Sequence, residues 1–212
     1  MIECVIYDCD GVLFDSLDAN RRLYNHIAVS NGRPPLTEEE LRYCHMNTVQ
    51  DSIHCLFKTD PEAEARAVGF LKQKVDFKDF IPYLKMEPHL LETLSSLRGK
   101  GIKTAISTNR TTSMPHIMER FALWPYFDMV VTALDVARPK PDRESVDRIL
   151  GTLNIGPKSA LYVGDSEIDL RTAESSGISF VAYKNQAISR GVYMDDHRQI
   201  LKIIGQNGRS DK

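Results

Sequence analysis

"ECVIYDCDGVLFDS", residues 3–16, runs from the apolar stretch Cys4–Tyr7 into two aspartates one residue apart, with Gly11 directly behind them. Such a short β-branched run reads as a strand buried on both faces, the type found in parallel sheets. Four further runs resemble it: "IKTAIS" at 102–107, "DMVVTA" at 128–133, "SALYVG" at 159–164 and "ISFVAY" at 178–183. Stretches with helical spacing separate them: "PHLLETLSSLRGKG" with Pro88 near its start, then 113–123, 142–153 and 168–176. Strands alternating with helices predict an α/β fold, a parallel sheet covered on both faces.

Between the first strand and the second lie the 70 residues from Ser16 to Lys85, too many for a crossover and helical throughout. Leu17, Leu23, Tyr24 and Ile27 mark a first helix closed near Gly32, and Thr37 with Glu40 forms a capping box for a second. Val49, Ile53 and Leu56 suggest a third, and Asp60-Pro61 opens a fourth carrying Val68, Leu71 and Val75. The expected domains are a core of residues 1–15 and 86–212 and an inserted helical domain of 16–85. The polar end "GQNGRSDK" is expected to be a loose tail.

With 27 basic and 29 acidic residues, a formal net charge of -2 and no long block of one sign, the chain does not ask for nucleic acid. No run of about 18 apolar residues is present, which excludes a transmembrane helix. Cys4, Cys9, Cys44 and Cys55 lack CxxC spacing, and no signal-peptide core opens the chain, so a reduced, cytoplasmic protein is expected, as monomer or homodimer. The six histidines show no metal-ligand spacing such as HExxH.

In open parallel sheets, ligands bind beyond the carboxyl ends of the strands. Those ends here carry Asp8 and Asp10; Thr108, Asn109 and Arg110; Lys140, reached through "LDVARPKPD"; and Asp165 and Asp169 in "GDSEID". Singly, each has an ordinary reading as a turn, a helix cap, a solvated lysine or a helix start. Together they suit phosphate chemistry.

If the strand stays extended through Asp10, both carboxylates point one way, Cys9 points the other, and Gly11 lets the chain turn. Three carboxylates at adjoining strand ends repel one another unless a cation lies among them, and an all-oxygen set suits Mg²⁺. A carboxylate attacking phosphorus meets about 4 kcal/mol of repulsion per phosphate charge at ~4 Å and an effective dielectric of about 20. Mg²⁺ on one side and Lys140 on the other would offset it. The Thr108 hydroxyl and the free backbone N–H groups after it offer an anion site of the helix-start type. One of the paired aspartates attacks, and its neighbour moves protons, first to the leaving alkoxide and then from water.

"DCDGVLFDS", "ISTN", "RPKPD" and "GDSEID" resemble, in this order, the four motifs of the haloacid dehalogenase superfamily of phosphohydrolases, and the likeness runs over essentially the whole chain. It implies a Rossmann-like core with a helical cap inserted between the first two motifs. It further implies Asp8 as nucleophile and metal ligand, and Asp10 as acid/base whose carbonyl reaches the metal. Thr108 and Lys140 would bind phosphate, Asp165 would hold Mg²⁺, and Asp169 would support the metal through water or orient Lys140.

Within the superfamily the chain is most similar to phosphoglycolate phosphatases and β-phosphoglucomutases. The second acid argues against a dehalogenase, which has no alkoxide to protonate. The cap segment "RYCHMNTVQDSIHCLF" lacks the Gly-x-Ser-Arg-like loop of the mutases, and also the glycine common there in phosphoglycolate phosphatases. His45, Asn47 and Thr48 in that segment are candidate substrate contacts. The expected function is Mg²⁺-dependent hydrolysis of a small phosphorylated metabolite through an aspartyl-phosphate. The alternatives are a sugar phosphomutase or a non-catalytic phosphate-binding regulator.

Overall fold

The structure, a computed structural model, describes residues 1–206. Its strands are β1 (Cys4–Tyr7), β2 (Phe14–Asp15), β3 (Lys85–Met86), β4 (Lys103–Ser107), β5 (Met129–Val131), β6 (Ala160–Gly164), β7 (Ser179–Tyr183) and β8 (Tyr193–Met194). Its helices are α1 (Leu17–Ser30), α2 (Glu38–Met46), α3 (Val49–Phe57), α4 (Pro61–Lys74), α5 (Leu90–Gly99), α6 (Met114–Arg120), α7 (Glu144–Leu153), α8 (Glu167–Ser176) and α9 (Ile200–Gln206). None of them is long and apolar enough to cross a membrane.

The chain divides into two compact units, Met1–Asp15 with the chain from Met86 onward, and Ser16–Lys85. In the first, six parallel strands lie in the order β5-β4-β1-β6-β7-β8. Strand β1 occupies the middle, pairing Tyr7 with Ile106 on one side and with Val163 on the other. Every β1 side chain is buried, as its unbroken apolar run requires. Cys4 and Ile6 join Val146 and Ile149 of α7 and Leu170 and Ala173 of α8 in one core cluster. Alternation turns Val5 and Tyr7 to the opposite face, where α5 and α9 pack on each other. Since the chain goes from β1 to one side for β4 and β5 and to the other for β6 to β8, the carboxyl end of β1 is the switch point, the place where such sheets bind ligands.

The second unit is helical. Its core holds Leu23, Tyr24, Ile27, Ile53, Phe57 and Ala67. The caps read from sequence are formed: Thr37 and Glu40 bond each other's backbone at the start of α2, and Asp60 accepts from Ala63 N ahead of Pro61 in α4.

Several boundaries move. The strand expected over 128–133 ends at Val131, because the Asp135 carboxylate takes the Thr132 N–H and hydroxyl and bends the chain away. The helix expected over 113–123 stops at Arg120, ahead of Ala122 in the left-handed region at φ 52. Strands β2, β3 and β8, two residues each, carry no period to read. Of the expected tail, Gly205 and Gln206 finish α9, and 207–212 fall outside the described residues.

Candidate active site

Four segments meet at the carboxyl end of the sheet. Asp8 continues β1 by donating its N–H to Val163 O at 3.0 Å, which places its carboxylate at the strand's carboxyl end. There Oδ1 accepts from Lys140 Nζ at 2.8 Å. The ammonium also donates to Asp169 Oδ1 at 2.6 Å and to the Tyr162 hydroxyl at 3.1 Å, so all three of its N–H bonds are used. The Lys140 side chain is only 3% exposed, deep enough for a charge to need such partners. Burial alone would lower its pKa, but Asp169 and Asp8 outweigh burial and hold it well above the ordinary value.

Asn109 fixes the Lys140 backbone from both sides: its Nδ2 donates to Lys140 O at 3.1 Å and its Oδ1 accepts from Lys140 N at 3.0 Å. The Tyr162 hydroxyl donates to Ser107 O at 3.1 Å and lies 3.2 Å from Asp169 Oδ1. Tyr162 was not among the residues expected at the site. Its signal is a phenol inside a buried strand, where a hydroxyl must find polar company.

Asp169 faces two ways. Oδ1 serves Lys140, while Oδ2 accepts from Ser166 Oγ at 2.6 Å and from the N–H groups of Ser166 and Asp165 at 3.2 and 3.3 Å. This capping box starts α8 and sets the Asp165 turn, which Asn185 Nδ2 holds from outside through Asp165 O at 2.8 Å. Two glycines make room: a Cβ on Gly11 would land on the Asp165 carboxylate, and one on Gly164 on Asp169.

Thr108 is buried, with Oγ1 accepting from Arg110 N at 3.1 Å. That bond corrects one expectation, because α6 begins only at Met114 and the N–H of Arg110 is not free for an anion. Arg110 itself, expected on phosphate, donates from Nε and Nη2 to the two oxygens of Asp10 at 2.7 and 2.6 Å. The pair is mostly buried; burial would lower the Arg110 pKa, but the negative groups around the guanidinium, Asp10 first among them, outweigh burial and raise it. Cys9, fully buried, has its thiol pKa raised by burial.

Oxygens of Asp8, Asp165 and Asp169 all lie within 4.8 Å of one another. Burial first and Asp169 second push Asp8 from 3.8 up to about 7, and the same causes raise Asp165 well above its ordinary value. Among the described residues, Lys140 is the one cationic side chain bonded to this crowded all-oxygen group of three carboxyls, and the group fits a hard divalent cation.

His45, Asn47 and Thr48 belong to the helical unit, where α2 passes into α3. Thr48 caps α3, accepting from Asp51 N and donating to Asp51 Oδ2, while Asn47 Nδ2 bonds Tyr43 O. Asn20 Nδ2 lies 2.8 Å from His45 Nδ1; with the amide donating, His45 carries its proton on Nε2.

The haloacid dehalogenase-like hydrolase family model matches residues 5–183. A phosphoglycolate phosphatase of Rhodobacter capsulatus is 28% identical over 191 residues, 86% of this chain and 84% of that one. A phosphorylated carbohydrates phosphatase of Thermotoga maritima is 31% identical over 182 residues, 84% and 82% of the two chains. The crystal structure of a haloacid dehalogenase-superfamily hydrolase, subfamily IA, from Geobacter sulfurreducens is 38% identical, with a TM-score of 0.79 over 96% of this chain and 97% of that one.

Proposed function

The chain belongs to the haloacid dehalogenase-like hydrolase family and is a phosphatase, and we propose that it hydrolyses a small phosphoglycolate- or phosphosugar-like metabolite with Asp8 as the nucleophile. The observation that carries this reading is the bond from Lys140 Nζ to Asp8 Oδ1, which sets a buried cation beside the one carboxylate that ends the central strand. An Asp8 oxygen attacks phosphorus as the ester P–O bond breaks, and Asp10 gives the leaving alkoxide its proton. Asp10 then takes a proton from water, whose oxygen attacks phosphorus and releases Asp8 and free phosphate. Lys140 and the Thr108 hydroxyl hold phosphoryl oxygens.

Asp8 and Asp165, with the Asp10 carbonyl, would hold Mg²⁺, while Asp169 is turned toward Lys140. When bound, the cation supplies positive charge against the carboxylates and the phosphoryl group. We assign residues 16–85 the role of a substrate-selecting cap, with the His45 Nε2–H as a donor. The four free cysteines fit a reduced, cytoplasmic setting.

Phosphate release from a panel of small esters, with Mg²⁺ or with chelator, tests the function. Mg²⁺-dependent release is expected, and the ranking of esters names the substrate class. Isomerisation of a sugar phosphate without free phosphate would move the assignment to a mutase. No turnover of any ester by folded, Mg²⁺-supplied protein would leave a binder.

The metal reading makes a pH prediction. A carboxyl whose folded pKa is raised costs stability as pH climbs from its unfolded value toward its folded one, here from about 4 to 7 for Asp8. Metal-free protein should therefore lose melting temperature over that window, and Mg²⁺ should restore more at pH 8 than at pH 5. Thermal scans with Mg²⁺ and with chelator check this; an equal Mg²⁺ shift at both pH values would count against these ligands.

The Arg110–Asp10 pair makes another. While both Asp10 oxygens accept from the guanidinium, neither is placed to hand a proton to an alkoxide, so the pair must open during transfer. Asp10→Asn should slow transfer from an alkyl phosphate by about 10²–10⁴ and much less from a nitrophenyl ester, whose leaving group needs no proton. Arg110→Ala should show the same leaving-group dependence, and the double variant should be no slower than Asp10→Asn. Additive losses in burst-phase rates would return Arg110 to the phosphate.

A further inference from the structure

The turn that carries Asp10 cannot satisfy its own backbone. Leu13 N and Phe14 N both donate to Cys9 O, at 3.0 and 3.1 Å, and Gly11 N donates to Phe14 O at 2.8 Å. These bonds leave the carbonyls of Val12 and Leu13, two residues whose own side chains are wholly buried, to donors from elsewhere. Leu13 O receives Glu87 N at 3.0 Å, and Val12 O receives His197 Nε2 at 2.9 Å from 185 residues further along the chain.

His197 is itself held. Fully buried, it stacks on Tyr183 with ring centroids 4.6 Å apart and planes 24° from parallel. The Tyr183 hydroxyl donates to Glu87 Oε2 at 2.9 Å, and Lys184 Nζ reaches the same oxygen at 2.6 Å. A carbonyl can only accept, so the ring carries its proton on Nε2, and Nδ1 has no partner among the described residues. An apolar side chain would fill this space without burying an unpaired nitrogen. The polar ring is explained by the bond it makes.

We propose that His197 is a positioning residue for the phosphatase reaction, its Nε2–H fixing the Val12 carbonyl and through it the Cys9–Phe14 turn that aims Asp10. The inference rests on the reading of Asp10 as the acid/base. Displacing a catalytic group by 1 Å can cost about a hundredfold in rate, so one lost anchor can show in kcat without touching the residues that bind phosphate.

The experiment compares His197→Phe, which keeps an aromatic ring on Tyr183 but has no donor, with His197→Gln, whose Nε2 lies the same number of bonds from Cβ as the imidazole Nε2. In the full chain with Mg²⁺, and with folding checked by thermal melts, His197→Phe should lose about 10- to 100-fold in kcat with KM within about twofold. His197→Gln should recover most of that loss. Parental kcat in folded His197→Phe, or no recovery in a His197→Gln of equal melting temperature, would overturn the proposal.

Imidazole ¹⁵N spectra of the parent decide the geometry even if neither variant folds. A slowly exchanging Nε2–H supports the anchor, and an Nδ1–H tautomer overturns it. If the parent releases no phosphate from any ester, the phosphatase reading falls and takes the catalytic role with it. If the parent is active, Asp8→Asn inactive and His197→Phe parental, the positioning role alone falls.

Discussion

Asp8→Asn should lower Mg²⁺-dependent phosphate release by about five orders of magnitude or more, the scale seen when a covalent nucleophile is removed from an otherwise intact site. The amide keeps the shape of the carboxylate but cannot displace an ester oxygen from phosphorus. Its effect on folding should run the other way. At pH 8 the parent carries an ionised Asp8 against burial and the Asp169 charge, which together push its pKa up to about 7. The amide removes that conflict, and Lys140 keeps Asp169 and Tyr162. In chelator at pH 8, Asp8→Asn should thus melt at or above the parental temperature while gaining less from Mg²⁺. Acid quench during turnover followed by borohydride should convert Asp8 of the parent to homoserine, read by peptide mass. Reduction at another carboxylate, or substantial turnover by Asp8→Asn, would move the nucleophile.

The parallel sheet is why Asp8, Asp10, Lys140 and Asp165, far apart in sequence, read as one group of strand-end residues. Buried strands are apolar runs, so polar residues just past their carboxyl ends stand out, and the fold brings those ends together. Helices of the inserted segment were legible through their caps, Thr37 with Glu40 and Asp60 with Pro61. What each polar group faces was harder to read. Asn109 and Arg110 adjoin Thr108 in sequence, yet one braces the Lys140 backbone and the other grips Asp10, 100 residues earlier. Asn47 and Thr48, offered as substrate contacts, already cap helix ends. Tyr162 hides in a strand because alternation marks only its face, and the link from His197 to Val12 joins segments that no local pattern connects.

Lys140→Ala should be the most damaging change after Asp8→Asn, and unlike it should damage the fold as well. The lysine bridges two buried carboxylates, with Asp8 at 2.8 Å and Asp169 at 2.6 Å. Removing one partner of a buried ion pair typically costs about 3–5 kcal/mol, because the remaining charge stays desolvated. Asn109 still holds the backbone of residue 140, so the loss falls on the site and not on the course of the loop. With its lysine gone, Asp8 should hold a proton to higher pH than in the parent, and a protonated carboxyl needs no cation. The melting-temperature deficit in chelator should therefore be large at pH 8 and shrink toward pH 5, and Mg²⁺ at pH 8 should recover part of it. For catalysis, loss of one fixed donor to a developing anion costs about 10²–10³, and loss of the full charge beside the nucleophile should bring kcat/KM down by about 10³ or more. Lys140→Arg should not rescue, since a planar fork cannot meet Asp8, Asp169 and Tyr162 from one tetrahedral nitrogen. Melts at both pH values, set beside phosphate release, test the whole chain of reasoning. A Lys140→Ala protein with parental stability at pH 8 would mean that the carboxylates are not relieved by the lysine. Parental activity would mean that another residue holds the phosphoryl oxygens.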